Sequence, residues 1–80
     1  MADYADISVT STSWTTGPTL EDDVVVQAGD QPVAITTKAT PGASKGLTLA
    51  PGAAINVKTG KTLKYRALGP RGGVLKIEAL

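Results

Sequence analysis

The chain has 80 residues and contains no cysteine and no histidine. That length suits one small domain, and the missing residue types exclude a disulfide staple, a zinc finger, a thiol nucleophile and a histidine general base. Apolar residues make up 41% of the chain and aromatic residues only 4%, so the core is expected to be aliphatic, and the net charge is close to neutral at +1.

Residues 8–19 are dominated by Ser and Thr, which compete with helix by bonding to the nearby backbone. They predict an extended arm or edge strand, broken at Gly17-Pro18. Val24-Val25-Val26-Gln27-Ala28 is β-branched and predicts a strand. Gly29-Asp30-Gln31-Pro32 turns the chain into Val33-Ala34-Ile35-Thr36-Thr37, which alternates with Val33 and Ile35 on one face. Residues 38–46 predict a loop around Pro41-Gly42. Leu47-Thr48-Leu49 predicts a short strand and Pro51-Gly52 a type II turn, with proline fixing one φ and glycine accepting the positive one. Ile55-Asn56-Val57 resumes with Ile55 and Val57 facing inward.

Thr59-Gly60-Lys61 then turns the chain into Leu63-Lys64-Tyr65-Arg66-Ala67. A two-residue turn at Thr59-Gly60 pairs Val57 with Thr62 and mixes faces. A three-residue loop centred on Gly60 pairs Val57 with Leu63 and Ile55 with Tyr65, which keeps one apolar face, so an odd-length hairpin loop is expected. Gly69-Pro70-Arg71-Gly72-Gly73 forms the next loop, and Val74 to Leu80 the last strand, with Leu75 and Ile77 inward. Breaks at Gly or Pro recur roughly every ten residues and no window shows sustained helical periodicity, a pattern that reads as all-β. The expected architecture is a small β-sandwich or barrel of six to seven short antiparallel strands. It forms a single domain, 1–80, in which 1–20 are a Ser/Thr-rich arm or edge strand and 21–80 the β core.

The balanced net charge conceals a division along the chain. Residues 1–30 hold Asp3, Asp6, Glu21, Asp22, Asp23 and Asp30 and no Lys or Arg, whereas every basic residue and only one acid, Glu78, lie in residues 31–80. Either two ends of a sandwich differ in charge, or the subunit is dipolar and its acidic segment docks on the basic part of a neighbour or on another protein. A nucleic-acid role would need base-stacking aromatics among the basic residues, and only Tyr65 stands there. No stretch approaches the ~20 apolar residues of a membrane span. The acidic start lacks the basic and apolar blocks of a secretion signal, so use without export is expected. A domain this small buries only about 60–65% of its unfolded surface, and with no disulfide available, oligomerisation is the expected support.

Few motifs carry chemistry. Gly60-Lys61-Thr62 has the ending of a phosphate-binding loop, but Ile55 stands where its first glycine belongs and a strand follows the lysine, so it reads as a turn. Gly69–Gly73 offers consecutive glycines and Arg71, either as an anion nest or as a loop with an exposed arginine. Glu21-Asp22-Asp23 lacks the alternating oxygens of a calcium loop and reads as a solvated or interface patch. Trp14 lies in a small, polar stretch, either over one end of the core or as an anchor at a subunit contact. Ser44-Lys45 are sequence neighbours and do not make a catalytic pair. No catalytic residues, cofactor or metal ligands are expected.

Residues 14–28 (Trp-Thr-Thr-Gly-Pro-Thr-Leu-Glu-Asp-Asp-Val-Val-Val-Gln-Ala) and 47–57 (Leu-Thr-Leu-Ala-Pro-Gly-Ala-Ala-Ile-Asn-Val) sit in a chain rich in Ala, Gly, Thr and Val. In these features it resembles the short β-rich virion proteins of tailed bacteriophages. The resemblance implies a head decoration, or cement, protein: a non-enzymatic subunit, often trimeric, that binds the outside of the capsid and clamps neighbouring capsid subunits. It would be made in the host cytoplasm and reside on the virion surface. Its partners would be the major capsid protein or another virion protein, with no nucleic acid and no membrane. The interface candidates are Trp14 and the 8–19 arm, Lys64, Arg66 and Arg71 toward an acidic partner surface, and the carboxylates Asp22 and Asp23. Alternative roles are a head spike, tail or fibre-base subunit, a carbohydrate-binding or adhesion module with exposed aromatics around Trp14, and a host-enzyme inhibitor bearing a large acidic patch.

Overall fold

A computed structural model describes residues 4–38 and 46–80. They form eight strands: β1 (Ile7–Val9), β2 (Thr15–Thr19), β3 (Val24–Ala28), β4 (Val33–Thr36), β5 (Leu47–Leu49), β6 (Ala54–Val57), β7 (Thr62–Ala67) and β8 (Gly73–Ala79), with no helix among the described residues. The strands make two four-stranded sheets, ordered β1-β8-β3-β6 and β2-β7-β4-β5. Every pairing is antiparallel. The fold is a β-sandwich with one strand more than the upper expectation, because the Ser/Thr-rich segment supplies two.

The chain changes sheet at every connection except β4 to β5. The pairs β1·β8, β2·β7, β3·β6 and β4·β5 describe one long ribbon folded over on itself, which is the connectivity of a jelly roll. Residues paired across strands share a face, so the registers define the core. The first sheet contributes Val9, Val24, Val26, Ala28, Leu75 and Ile77, and the second contributes Val33, Ile35, Leu49, Leu63 and Ala67, all buried. No polar or charged residue is buried among the described residues. Each large aliphatic side chain so enclosed contributes about 1.5–3 kcal/mol.

Three expectations are corrected. Of the arm or edge strand expected for the Ser/Thr-rich segment, the edge strand is found, but as two, residues 7–9 and 15–19, one on each sheet, rather than one continuous element. Gly17-Pro18 does not break the second of them. It is absorbed as a bulge, because Thr16 opposes Lys64 and Thr19 opposes Thr62, leaving Gly17 and Pro18 against Leu63 alone. Proline has no N–H to offer the ladder, and an edge-strand bulge is where sheets accept one. Most consequentially, β6 and β7 do not form a hairpin. Val57 pairs with Val24 and Ile55 with Val26 in the first sheet, while Leu63 and Tyr65 lie in the second. The Gly60 turn, with φ +84°, is therefore a bridge between sheets, as is the segment 69–72 between β7 and β8.

The turn at Pro51-Gly52 is as expected: Ala53 N donates to Ala50 O (2.9 Å) and Gly52 has φ +81°. The expected loop at 38–46 falls, for residues 39–45, outside the described residues. Because strands alternate in direction, the β2–β3 and β6–β7 connections meet at one end. There Leu20 N donates to Lys61 O and Gly60 N to Leu20 O, both at 2.8 Å. Thr59 N donates to Asp23 Oδ1 at 2.8 Å, and Glu21 N to the Tyr4 hydroxyl at 2.9 Å. The acidic connection 21–23 is thus fastened to the lysine-bearing connection 58–61 of its own chain. The charge division in the sequence is folded together, and the two ends do not form separate acidic and basic poles.

Candidate functional site: the outer face of the second sheet

Strand alternation leaves Thr16, Thr62, Lys64, Arg66, Ala34, Thr36 and Thr48 facing away from the core on β2, β7, β4 and β5. The register sets them side by side: Lys64 lies between Thr16 and Thr36, and Ala34 between Arg66 and Thr48. Lys64 Nζ donates to Thr16 Oγ1 at 3.0 Å, and the Thr19 and Thr62 hydroxyls are bonded at 2.9 Å. Trp14, one residue before β2, brings its indole to this face, with the Arg66 guanidinium carbon 5.3 Å from the ring centroid. That distance is within the range of a cation–π contact. Arg66 Nε is shielded from solvent without a hydrogen-bond partner.

The far edge of the indole reaches Gly46, just before β5. A Cβ there would lie 2.6 Å from Trp14 Cη2 and 2.9 Å from the Ile35 carbonyl oxygen, and Gly46 has φ +98°. Glycine is therefore required both by the backbone and by the approach of the ring. Ala34, on the same outer face as Arg66, is only 1% exposed, as expected where the indole and guanidinium lie across the sheet. Its burial is why Val33-Ala34-Ile35 is buried at three successive positions instead of alternating. An alanine at an outward position inside an apolar run was the one sequence signal for this covered patch.

No strand of the second sheet contains an acidic residue. The outer face of the first sheet is mixed, carrying Lys76 and Glu78 on β8 and lining, with Asp6 and Gln27, a shallow depression of about 440 Å³. The two faces of the sandwich are thus electrostatically distinct.

The six interface candidates occupy three places. Trp14, Lys64 and Arg66 come together on the second sheet. Arg71 is exposed at the opposite end from the 58–61 connection, beside Asp30 and Gln31 around a depression of about 380 Å³. In its turn Gly72 N donates to Gly69 O at 3.2 Å, so this amide serves the turn itself. Asp22 and Asp23 lie in the β2–β3 connection, where the Asp23 carboxylate accepts from Thr59 N. Among the described residues, no group of three or more acidic side chains is arranged to hold a metal ion. Tyr4 and Tyr65 pack against the core, so among the described residues they do not join Trp14 in the exposed aromatic cluster that a sugar-binding platform requires.

Compared with known protein families, curated proteins and solved structures, the chain matches none of them.

Proposed function

We propose that the chain is a structural virion protein of the capsid-decoration type, binding the outside of a tailed-phage head and stabilising contacts between capsid subunits. The observation that carries this reading is the convergence of Trp14, Lys64 and Arg66 on one outer sheet face whose strands bear no carboxylate. Indole and guanidinium groups are the side chains most often responsible for binding energy at protein interfaces. A guanidinium already held over a ring can present N–H groups to a partner carboxylate at little further cost in side-chain freedom. Thr16, Thr36 and Thr48 surround them with hydroxyls suited to a polar rim.

The likeness of residues 14–28 and 47–57 to short phage virion proteins directs the reading to a capsid. The jelly-roll connectivity is shared with many viral capsid domains, an analogy of fold alone. Self-association, as a trimer, would present several such faces at once, and tethered copies hold a lattice far more tightly than one copy does.

The test is cosedimentation of purified protein with expanded phage heads. The wild-type chain is expected to saturate the heads. Trp14→Ala with Arg66→Ala is expected to weaken binding by about 30-fold or more, the equivalent of one interface hot spot of about 2 kcal/mol. Lys76→Ala, on the other sheet, is expected to leave binding unchanged. Undiminished binding by the double variant overturns the assignment of this face.

A further inference from the structure

A second surface, independent of the proposed function, opens along the side of the sandwich. A cleft of about 500 Å³ lies between β5 and β6, which are the edge strands of the two sheets. From β6 it is lined by Ile55, Asn56 and Val57 in succession. Neighbouring residues of a pleated strand point to opposite faces, so a cavity on either face of the sheet would meet only every second one. A cavity that meets three in a row lies along the side of the strand or across its end. Among the described residues β6 pairs with β3 alone, so its other hydrogen-bonding edge lies open beside the cleft.

Its inner surface is apolar. Ile35 and Leu63 of the second sheet line it, together with Leu47, which is 60% exposed. Its rim is cationic: Lys38, Lys58 and Lys61 line it, and among the described residues no carboxylate does. An open strand edge beside an apolar trough is the arrangement that accepts an added strand. The lysines set the charge such a strand must carry.

We propose that the cleft between β5 and β6 is a docking site for an extended polypeptide segment of alternating apolar and acidic residues, which adds to β6 as a fifth strand of the first sheet. Its backbone pairs with the open edge of β6. Its apolar side chains enter the trough toward Ile35, Leu47 and Leu63, and its carboxylates face the three lysines. The open edge selects a polypeptide over a single-chain fatty acid, since only a backbone supplies donors and acceptors at the spacing of a strand.

The experiment titrates the labelled full-length chain with a blocked octapeptide alternating valine and glutamate, followed by amide NMR shifts and hydrogen exchange. Expected are shifts centred on Ala54–Val57 with exchange slowed at alternate residues. Lys58→Glu with Lys61→Glu is expected to weaken binding by about tenfold or more, and raised salt to weaken it as well. Leu47→Ser is expected to weaken it several-fold. These side chains are exposed, so the fold is retained, and unchanged dispersion of the remaining amides checks that. An analogue N-methylated at alternate amides is expected not to bind. Equal binding of the methylated analogue or of a valine–lysine octapeptide overturns the proposal. So do shifts located elsewhere, binding of laurate but not of the peptide, or no binding of the valine–glutamate peptide.

Discussion

Three glycines provide a comparison that separates backbone strain from packing. Gly52, Gly60 and Gly72 all sit at positive φ, +81°, +84° and +70°. An alanine at any of them carries the cost of a left-handed conformation, about 1–2 kcal/mol. Around Gly52 and Gly60 a Cβ would meet nothing within 4 Å, so that cost stands alone. At Gly72 the Cβ would strike the Val9 carbonyl oxygen and touch Thr10 Cα at 3.5 Å. Both are backbone atoms at the end of β1 and cannot rotate away, which adds about 1–3 kcal/mol of overpacking. Gly72→Ala is therefore expected to cost about 2–5 kcal/mol, against about 1–2 for Gly52→Ala or Gly60→Ala. In a domain this small each kcal/mol shifts Tm by about 4–8 °C, so the order is readable by thermal or urea denaturation. Hydrogen exchange should show the extra loss in Gly72→Ala concentrated at β1. Equal destabilisation of all three variants would refute the close packing of the β7–β8 turn on β1, and with it the placement of β1 beside β8.

Two further outcomes follow from single contacts. Asp23→Ala removes the acceptor for Thr59 N and is expected to cost about 1 kcal/mol, most of which Asp23→Asn restores because its amide oxygen still accepts. Urea unfolding of the pair checks this. Arg66→Ala removes the guanidinium lying 5.3 Å from the centre of the single tryptophan and is expected to shift its emission to longer wavelength and increase quenching by iodide. An unchanged spectrum would contradict the contact between Arg66 and Trp14.

How much of this was legible in the sequence depends on which quantity alternation encodes. Alternating apolar residues specify the face a side chain presents, so Ile55, Val57, Leu75 and Ile77 were correctly read as inward. They do not specify the sheet to which a strand belongs. A hairpin joining β6 to β7 and a bridge carrying the chain from one sheet to the other both keep Ile55, Val57 and Leu63 facing the core, and the hairpin is merely the shorter-range choice. Pro51-Gly52 was legible because its two conformational constraints allow one turn. Gly17-Pro18 misled because the same residues that end a central strand are accepted as a bulge at an edge. At the candidate site, Trp14, Lys64 and Arg66 were each noted, but their meeting depends on the β2–β7 register, which one chain's pattern does not reveal. Gly46, Ala34 and the cleft lysines went unread for the same reason: their roles arise from neighbours distant in sequence.

The central claim is that this jelly-roll subunit works on the outside of a capsid in many copies. Quantitative mass spectrometry of purified virions measures that directly as copies of the chain per particle. A decoration role predicts hundreds of copies, released together without loss of the capsid shell. A handful of copies would point instead to a spike, tail or fibre-base part, and the absence of the chain from purified particles would contradict a virion role altogether.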